Sequence, residues 1–186
     1  MAHVCPWWGG YFIDNRFRRL LHKPEAILSP YVRPGMTALD FGCGMGFFAI
    51  PMARLVGETG RVIAADLQQK MLDTLQKRAR KAGVGDRVQG HCCAPDSLGL
   101  TVPLDFVVAF YSVHEAPDAG RLLSEIHECL REEGCLLVVE PVGHVGAKRF
   151  ERLVSLGREV GFTVAERPRV RLSRAVLLKR ESGPAK

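Results

Sequence analysis

Apolar and polar positions change period repeatedly along the chain. Residues 37 to 41, "TALDF", form a short apolar run that stops at glycines, the pattern of a buried strand. In "GFFAIPMARLV", Phe48, Met52, Leu55 and Val56 recur at helical spacing, with Pro51 restricted to the first turns. "RVIAAD" reads as a second strand. "QQKMLDTLQKRARKAG" then puts Met71, Leu72, Leu75, Ala79 and Ala82 on one helical face and stops at a glycine. "DRVQGHC" predicts a third strand. "LDFVVAFY" predicts a fourth, apolar on both faces as a central parallel strand should be. Asp118 can cap a helix running through Glu132, with Leu122, Ile126, Cys129 and Leu130 inward. "CLLVVE" is a fifth strand, and residues 147 to 160 a helix closed by Gly161. The tail, "FTVAERPRVRLSRAVLLKR", reads as two strands with no helix between them, hence an antiparallel pair.

Strand and helix in alternation mean an α/β protein with a mostly parallel sheet covered on both faces. The expectation is one domain over residues 1–186, with a core from 31 and an appended helical cap over 1–30. In such sheets ligands sit at the carboxyl ends of the strands, so the turns at 40–46, 66–68, 91–97, 110–117 and 140–146 carry the chemistry.

The first of these turns is glycine-rich, but it does not suit a dinucleotide. Gly42, Gly44 and Gly46 fall as G-x-G-x-G, Phe47 stands in the slot of the third fingerprint glycine, and no Walker lysine follows. Asp40 precedes the first glycine, where its charge would repel a pyrophosphate. A ligand with a cationic head reverses that sign, and S-adenosylmethionine carries an ammonium and a sulfonium but no phosphate. Asp66 ends the next strand about 20 residues on, where a carboxylate accepts ribose hydroxyls.

With "LDFGCGMG", "VIAADL", "DFVVAFYSVHE" and "LREEGCLLVVEP", residues 32 to 180 resemble the class I S-adenosylmethionine-dependent methyltransferases. The resemblance implies a three-layer Rossmann-like fold with a seven-stranded sheet, mostly parallel and ending in an antiparallel hairpin. In "LREEGCLLVVEP" it implies a helix that ends at the glycine before strand five. It also implies roles at the site. Gly42, Cys43 and Gly44 would lie against the cofactor, and Asp40 would act on the methionine ammonium through water. Asp66 would hold the ribose, Leu67 would pack on the adenine, and the backbone of Phe110 would lie near the methionine moiety. Where family members carry Gly-Asp-Ala after strand three, this chain has "GHCCAPD". Either the backbone around His91 and Cys92 reads the adenine, or Asp96 loops back to it.

The acceptor is read mainly by exclusion. The chain lacks the Asn/Asp-Pro-Pro-aromatic signature of base-amine methylases and the Pro-Cys nucleophile of base-carbon methylases. "FYSVHE" resembles the small-molecule branch, which includes the quinone-ring methyltransferases. Tyr111, His114, Glu115, Glu140 and His144 are the polar candidates for the pocket. His114 is either a general base or a hydrogen-bonded residue shaping its turn. Glu140 either faces the substrate mouth or is a turn acid satisfied by backbone amides. In the cap, "CPWWGGYF" sets Trp7, Trp8 and Tyr11 beside a Gly-Gly joint. These serve as an aromatic lid that brings Tyr11 to the site, or as anchors.

The remaining numbers narrow this only slightly. The chain has 186 residues and a formal charge of +6, no apolar run of membrane-spanning length and no signal-peptide order. A cytoplasmic enzyme with a small-molecule acceptor is expected. Six cysteines without metal spacing imply reduced thiols and no metal, although Cys5, Cys92 and Cys93 leave an arsenite-type reading open. Arg167, Arg169, Arg171 and Arg174 support an alternative, docking of RNA or protein, unless they alternate along an ordinary solvated strand edge. A non-catalytic module that binds S-adenosylmethionine is a further alternative. The sequence sets no oligomeric state.

Overall fold

The computed structural model describes residues 21–180. Its seven strands form one mixed sheet in the order β3-β2-β1-β4-β5-β7-β6. The described residues divide into two compact units, one ending at Cys93 and the other starting at Ala94.

In the first unit β1 (Thr37–Phe41), β2 (Arg61–Asp66) and β3 (Val88–Cys92) run parallel, with Asp40 opposite Ala64 and Asp66 opposite Cys92. The apolar run of β1 is buried from Thr37 through Asp40. Helix α1 (Pro24–Leu28) starts at a proline, whose missing N–H costs nothing in a first turn. Helix α2 (Ala49–Leu55) keeps Pro51 in its first turn, as the sequence requires. Helix α3 (Gln69–Lys81) packs Met71, Leu72, Leu75 and Ala79 onto β2 and β3. Each of the larger side chains contributes about 1.5–3 kcal/mol by leaving water.

In the second unit β4 (Leu104–Phe110) pairs parallel with β5 (Leu130–Pro141). Strand β7 (Ser173–Arg180) lies antiparallel between β5 and β6 (Phe162–Glu166), as the tail pattern predicts. Helix α4 (Ala119–Cys129) begins where the Asp118 side chain accepts the Arg121 N–H at 2.9 Å. Helix α5 (Ala147–Val160) ends at Gly161, whose φ of 109° only glycine adopts freely.

Two expectations need correction here. Helix α4 ends at Cys129, not Glu132, because Leu130 is buried beside Leu104 and Arg131 pairs with Asp105 at 3.2 Å. The chain turns at Glu133 (φ 66°) rather than at the following glycine, and Lys179 holds the Glu133 carboxylate. The arginines at 167, 169 and 171 do not alternate along a strand edge. They lie in the loop between β6 and β7, and only Arg174 is in β7. Pro168 has no N–H for a ladder, which ends the pairing there. Among the described residues no helix is long and apolar enough to cross a membrane.

Candidate active site

The first unit builds a turn suited to a cationic nucleoside. After β1 the chain takes positive φ at Gly42, Gly44 and Gly46. The N–H groups of Gly42 and Cys43 both donate to the Ala65 carbonyl, at 2.9 and 3.0 Å, which folds the turn over the end of β2. The Asp66 carboxylate locks it there: Oδ2 accepts the Gly44 N–H and Oδ1 the Gln68 N–H, both at 2.9 Å. Burial pushes the Asp66 carboxyl up, while the backbone N–H groups around it oppose the shift. The Leu67 N–H contributes as well, and a carboxylate with about four acceptor sites still has capacity for a ribose hydroxyl.

The glycines do different work. A Cβ on Gly46 would meet Ile50 and Leu75 at 3.2 Å, so this position lets α2 and α3 pack close. A Cβ on Gly44 would meet nothing within 4 Å, so this glycine faces open space. Beside it Leu67 leaves 37% of its surface exposed, an apolar platform at the end of β2. Asp40 is buried in β1. Burial, with the Asp40 and Asp66 carboxylates nearby, pushes the Cys43 thiol well up, so it stays protonated and donates to the Gly44 carbonyl. The residues fit S-adenosylmethionine: two carboxylates beside an open glycine turn favour a cation, and Leu67 offers a face for a base.

Cys92 is exposed, its thiol 3.6 Å from the Leu67 carbonyl, whereas Cys93 is buried. Among the described residues no group of three His, Cys, Asp or Glu could hold a metal ion. Asp96 is exposed and lies 3.7 Å from Arg121, which also pairs with Glu125 at 3.1 Å. Tyr11, Trp7, Trp8 and the rest of residues 1–20 of the expected cap lie outside the described residues.

In the second unit β4 ends at buried Phe110. Tyr111 follows with φ 63°, its N–H on the Val139 carbonyl and its ring 4.4 Å from that of Phe110. Ser173 gives its proton to the Arg171 carbonyl, so the Tyr111 hydroxyl donates to Ser173 across 2.6 Å. A 3-10 turn, Val113–Glu115, then presents His114. Glu140 is 0% exposed and does not open to solvent: Oε1 accepts the His114 N–H at 3.0 Å and Oε2 faces Nδ1 at 2.5 Å. The hydrogen bond to Glu140 holds the His114 imidazolium above its ordinary range, against the effect of burial. A Nδ1–H donated to Glu140 leaves the lone pair of neutral His114 on Nε2. The His144 ring lies parallel at 6.1 Å. Arg149 donates to the His114 carbonyl at 3.1 Å. Arg149 and Ser173 escaped the sequence reading, since partners 35 and 62 residues apart leave no local pattern.

A family model described as a methyltransferase domain matches residues 38–134. The chain belongs to this family. Its Rossmann-like, class I sheet agrees with a crystal structure of an S-adenosylmethionine-dependent methyltransferase from Aquifex aeolicus. That structure gives a TM-score of 0.84 at 21% identity, covering 95% of this chain and 99% of that one. Demethylmenaquinone methyltransferase of Lactobacillus johnsonii is 33% identical over 112 residues, 59% of this chain and 45% of that protein. The ubiquinone/menaquinone biosynthesis C-methyltransferase UbiE of Escherichia coli is 31% identical over 112 residues, 59% of this chain and 44% of that protein. The matched stretch is thus under half of either relative's length. The family model's span covers the glycine turn, Asp66 and His114.

Proposed function

We propose that the chain is an S-adenosylmethionine-dependent methyltransferase acting on a small, apolar, hydroxylated aromatic acceptor of the quinol kind. S-adenosylmethionine, when bound, supplies an electrophilic methyl group on sulfonium. Asp66 and Gly44 hold its nucleoside, Leu67 packs on the base, Phe110 lines the methionine end, and the Asp40 and Asp66 charges favour the cation. The backbone near Cys92 reads the adenine, since Asp96 lies exposed beside Arg121.

The observation that carries the reading is the His114–Glu140 pair. Methyl transfer needs an aligned nucleophile and exclusion of water, and an aromatic hydroxyl, or the ring carbon conjugated with it, becomes a better nucleophile as the hydroxyl loses its proton. His114 is the catalytic residue, taking that proton on Nε2. Glu140 is a positioning residue, which fixes the imidazole tautomer and stabilises the imidazolium that forms. The names of the quinone-biosynthesis relatives support an acceptor of this class.

The test is formation of S-adenosylhomocysteine from S-adenosylmethionine with short-chain naphthohydroquinones, compared with catechols and with transfer RNA. Product with the quinol, lost in His114→Ala, supports the reading. Turnover on RNA alone would favour the basic loops as a docking surface for nucleic acid, and calorimetric binding of NAD in place of S-adenosylmethionine would refute both.

A further inference from the structure

Two large apolar side chains stand in water at one place in the second unit. Val142 is 44% exposed in the turn after β5, and Leu172 is 61% exposed just before β7. The Val142 N–H donates to the Leu172 carbonyl at 3.2 Å, so the two turns are tied together. Leu172 also holds φ 54°, a left-handed conformation that costs a leucine roughly 1–2 kcal/mol relative to the usual regions. A strained backbone carrying an exposed leucine does nothing for the stability of the fold, where glycine would serve better.

The surroundings are basic. Residues 141 to 174 hold eight Lys or Arg against three Asp or Glu. Lys148, Arg149, Arg169 and Arg171 are exposed. The first turn of α5 contains no acid and carries Lys148 and Arg149, the reverse of what its helix dipole favours. Arg167 grips Glu151 through both guanidinium nitrogens at 2.7 Å, which holds the 167–172 loop against α5 and occupies one of the three acids.

We propose that these turns form a docking surface for an anionic lipid bilayer, with Val142 and Leu172 entering the interface and the basic residues meeting lipid headgroups. Charge complementarity fits the basic ring, and the apolar centre selects a bilayer over a polyanion. Nucleic acid would reward the arginines but not a leucine held in water, and both phenylalanines of this stretch, Phe150 and Phe162, are buried and offer no face for base stacking. Arg149 also reaches the His114 carbonyl, so the surface borders the turn that presents the base. The surface stands on its own geometry. Its use, drawing an apolar acceptor from the membrane, rests on the proposed function.

The experiment is flotation of the whole chain, without cofactor or acceptor, with vesicles of phosphatidylcholine alone or mixed with phosphatidylglycerol. Binding to the anionic vesicles, weakened by salt and absent on phosphatidylcholine, is expected. Lys148→Ala with Arg169→Ala should lower partitioning roughly 30-fold, at about 1 kcal/mol per basic residue near the surface. Leu172→Gly should lower it as well while leaving Tm unchanged or higher, because glycine removes the strain. Absence of binding to anionic vesicles, or unchanged binding of both variants, overturns the proposal. Tight RNA binding without vesicle binding also overturns it, in favour of a nucleic-acid surface. Vesicle binding without any methyl transfer to quinols would instead fault the proposed function and leave the surface standing.

Discussion

Glu140→Gln separates a base held in one tautomer from a histidine that only shapes a turn. Glu140 accepts two hydrogen bonds from one residue, the His114 N–H at 3.0 Å and Nδ1 at 2.5 Å. Hydrogen bonds to a charged group contribute about 1.5–3 kcal/mol each. Glutamine has the same shape but one acceptor. Its oxygen keeps the backbone N–H, and its amide then donates to Nδ1, which moves the imidazole proton to Nε2. The folded protein should lose about 1.5–3 kcal/mol, one charge-assisted bond. The rate should fall by roughly 10²-fold or more, since the lone pair of the base now points at Glu140's replacement.

Two readouts are needed. Quinol-dependent formation of S-adenosylhomocysteine gives kcat and KM, and the effect should lie in kcat. Proton–nitrogen NMR of the imidazoles, on protein without ligand, reports the tautomer and the titration of His114. In the wild type the Glu140 bond raises its pKa, and the variant's inflection should be lower. Combined with His114→Ala, the two substitutions should be strongly non-additive, as expected for groups that act as a unit. An unchanged inflection with an unchanged kcat would refute the reasoning, and the pair would then only brace the turn.

Three further outcomes follow from the same geometry. Asp66→Ala should cost about 1–3 kcal/mol of S-adenosylhomocysteine affinity, because the carboxylate orients the glycine turn and, on the proposed reading, holds the ribose; an unchanged Kd by calorimetry in a folded variant removes Asp66 from the site. Gly44→Ala should lower affinity with only about 1–2 kcal/mol lost in stability, from its φ of 51°, whereas Gly46→Ala should lower Tm more because its Cβ crowds Ile50 and Leu75. The His114–Glu140 pair also sets opposite pH trends. Its raised His pKa makes its stabilisation complete below the unfolded value near 6.5 and lost as pH rises through the folded pKa, while the neutral base and hence the rate grow over that window; Tm and kcat moving in parallel with pH would contradict this.

The parts of the fold read most directly from sequence were those dictated by local patterns. The apolar run of β4, the Asp118 cap and Gly161 each decide their own position, and the structure has them there. The end of α4 was misread because burial of Leu130 and the Arg131–Asp105 pair, both set by β4, override a helical pattern that continues to Glu132. The glycine turn was legible as a turn, but not the separate surroundings of Gly44 and Gly46, which depend on Ile50 and Leu75 filling the space at Gly46 only. Glu140 was legible as an acid at a strand end, but its direction, toward the mouth or onto the turn, was left open, and the structure turns it onto His114. A strand-end carboxylate can turn outward or under the neighbouring turn, and only the position of His114, 26 residues earlier, decides it.

Strain gives an independent view of the second unit. Among the described residues three non-glycines take positive φ: Tyr111, Glu133 and Leu172. Glu133 has an architectural reason, since it lies where β5 shifts register against β4 and its carboxylate meets Lys179. Tyr111 and Leu172 have none of that kind, yet they converge. The Tyr111 hydroxyl binds Ser173, the residue that follows Leu172, and Tyr111 lies three residues before His114. Glycine at either position would relieve about 1–2 kcal/mol of backbone strain. A side chain is therefore worth more there than relaxed backbone: a ring and hydroxyl at 111 that fasten the turn presenting His114, and an apolar surface at 172. Strain thus stands at Tyr111 and at the neighbour of its partner Ser173, where the side chains are kept at the expense of relaxed backbone.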